Sequence, residues 1–277
     1  MPCCCKMSSQ EPEPLRQPLS RGRFLVLEGI DGCGKTTQLR ALADWLPTSG
    51  LLPPGAELLV TREPGGTALG QALRQLLLTP PAAAAPSPTA ELLLYAADRA
   101  QHVERRIGPA LAAGHWVLSD RYTGSTAAYQ GYGRGLDLHL IAQLEGLATS
   151  GLVPDLTLWL DLPLADSLRR RGHRPADRIE AAGEAFLGRV AAGFAALAEE
   201  RCWRRIDASQ PVAAVSLACQ RALVQLGAAP ALAGQGPSGQ LPAIEPHGEP
   251  PGELPGIVVP AGAVSELEQA GELPGDG

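Results

Sequence analysis

The chain has 277 residues with a formal charge of −6, 45% hydrophobic and only 4% aromatic residues, enough apolar content for a sizeable core. No apolar run approaches the ~20 residues needed to span a bilayer, and Cys3, Cys4, Cys5, Cys33, Cys202 and Cys219 fit neither a zinc site nor a disulfide framework, so reduced thiols, no membrane partner and a cytoplasmic location are expected. The charge is uneven: residues 228–277 hold seven acids and no Lys or Arg, which leaves the remainder at about +1 and argues against a nucleic-acid-binding surface.

Residues 1–20 lack the apolar stretch of a secretory signal and read as a disordered leader. From Arg21 to about Gly227, short apolar runs alternate with longer amphipathic stretches, the rhythm of a parallel sheet with crossover helices. Strands are predicted at Phe24–Glu28, Glu57–Thr61, Trp116–Asp120, Leu156–Asp161 and Trp203–Asp207. Helices are predicted over 35–46, 66–78, 90–113 with a bend near Pro109, 137–149, 163–171, 183–200 and 211–226. Residues 228–277 hold nine prolines and ten glycines, too many breakers for a packed core, and read as a disordered tail.

The first strand runs into Gly29-Ile30-Asp31-Gly32-Cys33-Gly34-Lys35-Thr36, which fits GxxxxGK[ST] between a strand and a helix. Glycines let backbone N–H groups turn inward around a polyphosphate, and the helix start adds its partial positive charge. Lys35, one of two lysines in the chain, bridges the outer phosphates of ATP, and the Thr36 hydroxyl is placed for Mg²⁺. A chance glycine turn is the competing reading.

In open α/β sheets, ligands collect at the carboxyl ends of the strands. The second strand ends in Thr61-Arg62-Glu63-Pro64-Gly65-Gly66-Thr67, where Arg62 offers a bidentate fork for a phosphate; an ordinary turn with a surface arginine is the alternative. On the helix that follows, Tyr95 and Arg99 stand four residues apart and share a face, although core packing would also account for Tyr95. The third strand ends in Asp120-Arg121-Tyr122: an acid suited to Mg²⁺, then a second strand-end arginine. Tyr122, Tyr129 and Tyr132, with Ser125, Thr126 and Gln130, crowd into one stretch and offer stacking surface and hydrogen bonds to a base and sugar. Residues 169–178 hold five arginines broken by Gly172 and Pro175. They form a closing lid, a solvated charge run or a nucleic-acid patch; the near-neutral folded region weakens the last.

Taken together, EGIDGCGKTT (28–37), TREPGGT (61–67), YAADRAQH (95–102), SDRYTGSTAAYQG (119–131), PDLTLWLD (154–161) and DRIE (177–180) resemble the bacterial thymidylate kinases over about residues 23–208. The resemblance implies a three-layer P-loop NTPase fold with a five-stranded parallel sheet flanked by helices. It also implies Mg²⁺-dependent transfer of the ATP γ-phosphoryl group to dTMP, and a homodimer. By position, Tyr95 stacks on thymine, Arg99 bonds the base, and Arg62 and Arg121 hold the acceptor phosphate. Thr126 and Gln130 fall near the base edge, Tyr129 beside the sugar, and Asp31 near sugar and phosphate. Some members carry an arginine inside the phosphate loop; here Gly32 takes that place, so the catalytic arginine is expected from a lid at about 169–180, with Arg171, Arg174 and Arg178 as candidates. Two rival functions remain at this stage: a kinase of the same scaffold with another acceptor, and a non-catalytic ATP-binding module.

Overall fold

The computed structural model describes residues 21–81, 84–172 and 177–228. The expected leader, Arg174 and nearly all of the expected tail lie outside them. Five parallel strands form one sheet: β1 (Phe24–Glu28), β2 (Leu58–Arg62), β3 (Trp116–Asp120), β4 (Leu156–Asp161) and β5 (Arg204–Asp207), in the order β2-β3-β1-β4-β5. Central β1 is buried at all five positions, which is why it reads as a continuous apolar run rather than an alternating one. Edge strand β5 is exposed at three of its four residues. Two of these are Arg204 and Arg205, charges that discourage edge-to-edge pairing.

The helices are α1 (Lys35–Trp45), α2 (Ala68–Leu78), α3 (Pro88–His102), α4 (Gly108–Ala112), α5 (Thr123–Thr126), α6 (Leu138–Thr149), α7 (Leu164–Arg171), α8 (Glu184–Glu200) and α9 (Val212–Ala228). Three have side-chain caps: Thr67 accepts from Gly70 N before α2, Ser87 from Ala90 N before α3, and Asp137 from His139 N before α6. At α1 the cap position is Gly34, in the left-handed region, with no side-chain bond. The first N–H groups of α1 are therefore left for a ligand. None of the helices among the described residues is long and apolar enough to cross a membrane.

Three departures from the expected elements have local causes. Strand β2 sits one residue later than expected because its register with β3 pairs Leu58 with Trp116 and Arg62 with Asp120. Strand β5 starts at Arg204 because Trp203 N bonds Ala198 O to finish α8, with Cys202 at φ 52°. The helix expected over 90–113 is broken. A π-helical stretch, Val103–Ile107, separates α3 from α4, and Gly108 N bonds Val103 O five residues back. Pro109 has no N–H to continue an α ladder, and the widened turn absorbs the defect.

The largest miss is residues 123–133, where α5 runs into a second π-helical stretch, Ala127–Gly133. Its Gly, Ser and Thr content disfavours helix, but tertiary packing overrides propensity. A Cβ at Gly133 would lie 2.6 Å from the Phe186 ring, and one at Gly193 2.6 Å from the Tyr132 ring. Glycine at both contacts lets this segment and α8 approach closely, with Phe194 and Val190 fully buried between them, each worth about 2 kcal/mol of transfer free energy.

Candidate active site

The strand order reverses between β1 and β3, and there the carboxyl ends meet at one level. Leu27 is in register with Asp120, and Arg121 N donates to Leu27 O at 2.9 Å. The Gly29–Thr36 loop leaves β1 at this crevice, with Gly29, Gly32 and Gly34 all at positive φ. Lys35 is only 6% exposed, and its ammonium donates to Gly29 O and Ile30 O at 2.9 Å each, so the charge lies inside the loop. The side chains of Ile30 and Cys33 pack into the core, and Cys33 Sγ also accepts from the Lys35 ammonium at 3.7 Å. Across the crevice, Thr36 Oγ1 donates to Asp120 Oδ2 at 3.5 Å, while Asp120 Oδ1 is buried with no hydrogen-bond partner. An open cavity of about 1150 Å³ lies over this loop, lined by Lys35, Thr36, Arg62, Asp120 and Arg171 among others.

Gly32 is required by the close approach of α7. A Cβ on Gly32 would stand 3.0 Å from Ser167 O and 3.1 Å from Arg171 Cγ, in a backbone with φ 78°. Ser167 Oγ also donates to Asp31 O at 2.6 Å. Helix α7 therefore rests on the phosphate loop and brings Arg171 to the cavity; Arg170, beside it, donates to Ala208 O at 3.0 Å and fastens α7 to the turn after β5. Arg178 is not brought to this cavity. Its Nε donates to Leu77 O at 2.9 Å and its Nη2 to Glu91 Oε2, which corrects the expectation that it is a candidate for the phosphates.

A second, narrower cavity of about 540 Å³ adjoins the first and shares Asp31, Glu63, Arg74, Arg121 and Asp177 with it. At the junction Arg121 adopts φ 73°, an uncommon conformation for a side-chain-bearing residue. It is held there by bonds to Gly29 O (3.1 Å), Ser125 Oγ (2.8 Å) and Asp31 Oδ1 (2.6 Å). Tyr129 donates to Asp31 Oδ2 at 2.6 Å, and the Arg121 guanidinium lies 5.2 Å from its ring centre. Burial works to raise the Asp31 carboxyl, but the charges of Arg121 and Lys35 outweigh it and hold Asp31 well below the usual carboxylate range. Burial raises the Tyr129 hydroxyl, and the Asp31 carboxylate adds to the rise.

Deeper in, Arg99 donates to Glu63 Oε2 at 2.8 Å, to Tyr122 O at 3.1 Å and to Thr126 Oγ1 at 2.9 Å. Buried Gln130 donates to Glu91 Oε1 at 2.7 Å. Tyr95 lines this pocket beside Arg99, Thr126, Tyr129 and Gln130, so the face shared by Tyr95 and Arg99 does point at the cavity. The other two tyrosines differ from each other. Tyr122 lines the pocket as well, while its hydroxyl donates to Leu152 O and its ring meets Phe24 edge-on at 4.9 Å; Tyr132 packs on Gly193 and does not line the pocket.

Several residues of the site were given no role by the sequence, although Glu28, Glu63, Asp98 and His102 lie within the quoted motifs. Arg74, the sole arginine of α2, lines both cavities, and its guanidinium donates to Pro64 O at 3.0 Å. Burial lowers its pKa, and so does the proximity of Arg62 and Arg121. Three guanidiniums converging where two cavities meet form a receptacle for anions. The available signal was an arginine two turns beyond Thr67 on the helix that opens at TREPGGT. Buried Glu28 accepts from Tyr122 N, Ser125 N and Ser125 Oγ and so anchors the start of α5; burial raises its pKa despite the opposing charge of Arg121. His102 bonds Glu63 Oε1 at 3.0 Å and Thr61 Oγ1 at 2.7 Å, while Asp98 accepts from Gly65 N at 3.1 Å. These contacts hold the 61–67 loop from beneath.

A phosphate loop that opens past a cluster of arginines onto a second, hydrogen-bond-rich pocket defines a P-loop phosphotransferase with adjoining donor and acceptor sites. A sequence model of the thymidylate kinase family matches residues 27–218. The thymidylate kinase of Synechococcus sp. (strain RCC307) is 73% identical over 191 residues, 69% of this chain and 90% of that one. The thymidylate kinase of Prochlorococcus marinus (strain MIT 9313) is 69% identical over 202 residues, covering 73% and 94%. The solved thymidylate kinase of Ehrlichia chaffeensis, at 32% identity, superposes with a TM-score of 0.59 over 74% of this chain and 99% of its own. The chain belongs to the thymidylate kinase family.

Proposed function

We propose that the protein transfers the γ-phosphoryl group of ATP to dTMP, giving ADP and dTDP on the route to dTTP. The observation that carries this reading is the shared wall of the two cavities, where Asp31, Arg74 and Arg121 stand between a loop built for a polyphosphate and a pocket built for a base and sugar.

In the reaction an oxygen of the dTMP phosphate forms the new O–P bond while the bond to the β–γ bridging oxygen of ATP breaks. The acceptor oxygen is already ionised at neutral pH, so no strong base is needed, and catalysis rests on in-line placement and charge neutralisation. Lys35 lies among its own loop carbonyls and exchanges them for β- and γ-phosphate oxygens. Arg62, Arg74 and Arg121 hold the acceptor phosphate and relieve their mutual repulsion by doing so. Arg171 reaches the transferring group from α7. Asp31, paired with Arg121 and Tyr129, keeps that guanidinium aimed at the junction. Tyr129 closes the sugar end, Tyr95 stacks on the ring, and Arg99, Thr126 and Gln130 meet the base edge.

Thr36 and Asp120 fit a Mg²⁺ ion. Asp120 Oδ1 is buried without a partner and Oδ2 faces the Thr36 hydroxyl. Such an ion would take its remaining ligands from waters and the donor phosphates. When bound there, Mg²⁺ supplies positive charge to the donor phosphates.

The protein is further proposed to be a cytoplasmic homodimer. Leu69, Leu93, Leu140 and Leu147 are exposed on α2, α3 and α6, of which α3 packs against both others, and large exposed apolar side chains gathered on neighbouring helices suit an interface. The function is tested by coupled ADP release with dTMP, dUMP, CMP, AMP and thymidine as acceptors, alongside light scattering for mass. Turnover is expected on dTMP well above the others; ATP binding with no transfer to any monophosphate would refute the reading.

A further inference from the structure

A primary amide offers a ligand either its carbonyl or its NH₂, and that choice decides which hydrogen-bonding edge the site accepts. For Gln130 in the acceptor pocket, the choice is made by Glu91. Glu91 lies in the first turn of α3 at 0% exposure, and its Oε1 accepts from Gln130 Nε2 at 2.7 Å. A carboxylate oxygen holding an N–H can only accept, so the amide turns its NH₂ toward Glu91 and its Oε1 the opposite way. Among the described residues no donor reaches that oxygen, and Gln130 lines the cavity.

Glu91 is itself clamped. Arg134 donates to it from Nε at 3.3 Å and from Nη2 at 3.1 Å, and Arg178 donates to its Oε2. Arg178 is fixed in turn by its backbone N on Leu78 O at 3.1 Å and its Nε on Leu77 O at 2.9 Å. One carboxylate thus receives donors from the π-helical stretch, from Arg134 just after it and from the segment beyond α7, which removes its freedom to rotate.

We infer that Glu91 is a positioning residue that sets base specificity by locking the Gln130 amide with its carbonyl toward the acceptor. A carbonyl there pairs with a ring nitrogen that carries hydrogen, as in a pyrimidine with N–H between two carbonyls, and opposes the bare lone pair of a cytosine ring. Thr126 is complementary. Its Oγ1 already accepts from Arg99 Nη2 at 2.9 Å, which leaves the hydroxyl hydrogen to donate to the carbonyl beside that N–H.

The inference rests on dTMP being the acceptor. Its test compares full-length wild type and Glu91→Gln in calorimetric titrations with dTMP and dCMP and in dTMP turnover at saturating ATP. An amide at 91 can donate as well as accept, so Gln130 is free to flip. Affinity for dTMP is expected to fall by about threefold or less and that for dCMP to rise, so that the dTMP-to-dCMP ratio narrows about tenfold or more, with KM for ATP unchanged within about threefold. Equal losses for dTMP and dCMP would overturn the inference and leave Glu91 a packing residue. If Glu91→Gln alone does not fold, Glu91→Gln with Arg134→Gln, which removes one guanidinium stranded by the change, is measured in the same way. In a Gln130→Leu background, Glu91→Gln must leave the dTMP-to-dCMP ratio unchanged, since a residue acting through Gln130 has nothing left to act on; a further narrowing counts against the idea. Wild type inactive on dTMP would remove the proposed function, whereas active wild type with an unaltered ratio in the variant removes only this role for Glu91.

Discussion

The two cavities of this protein are built in opposite ways. The donor side comes from one contiguous turn, Gly29–Thr36, whose N–H groups and single ammonium need only a strand before them and a helix after them. The acceptor side is assembled from α2, α3, the 123–133 segment, Asp177 and Ile179. Nearly every polar group in it already has a protein partner: Arg99 with Glu63, Arg121 with Asp31, Gln130 with Glu91. A polyphosphate is recognised by charge, which tolerates a loose cradle, whereas a base is recognised by direction, which requires each donor and acceptor to be aimed before the ligand arrives.

Three experiments break or sharpen this contrast. On the donor side, Lys35→Ala should reduce dTMP-dependent ADP release by about 10³-fold or more, the order expected for losing a fixed charge at the transition state, with an unchanged circular dichroism spectrum; near wild-type turnover would defeat the assignment. At the junction, Arg121→Met should lower kcat/KM for dTMP by about 10²–10³-fold and raise KM for dTMP more than KM for ATP, because it removes the acceptor's cation and releases Asp31 and Tyr129. If both Michaelis constants rose in proportion, Arg121 would belong to the donor side instead.

The smallest effect concerns the support beneath the acceptor loop. Burial, with the charge of Glu63 added, pushes the Asp98 carboxyl up to about 6 from an ordinary value of 3.8; His102 and Arg99 face it and oppose the shift. The folded state therefore binds this proton more tightly than the unfolded chain. The stabilisation is complete below about pH 3.8 and is lost as the pH rises through about 6. At pH 7.5 Asp98→Asn should raise stability by about 1–3 kcal/mol, or roughly 2–8 °C in Tm, and the gain should vanish below about pH 4 in thermal melts followed by circular dichroism. A variant less stable than wild type at pH 7.5 would mean that the charged carboxylate is what holds Gly65.

Much of the scaffold was readable beforehand because its cues are local. Three of the five strands match their expected bounds, and Lys35, Thr36, Asp120 and Arg121 stand where strand-end reasoning put them. The failures share a different cause. The 123–133 segment has poor helix propensity and becomes helical because α8 covers it. Arg178 reads as one more lid arginine, yet a buried carboxylate 87 residues away in the chain takes it as a partner, and it lines neither cavity. Arg74, Glu28, Glu63 and Glu91 belong to no phosphate-binding pattern and acquire their roles only from what packs against them.

The sequence alone determined the parallel sheet, the phosphate loop and the sign of the charges at its rim, because periodicity, glycine spacing and strand ends act over a few residues. Only the tertiary structure decided which arginine serves which cavity and which way the Gln130 amide points. Those outcomes depend on buried carboxylates brought from distant parts of the chain, and a charged group excluded from water takes the partner that the fold places beside it.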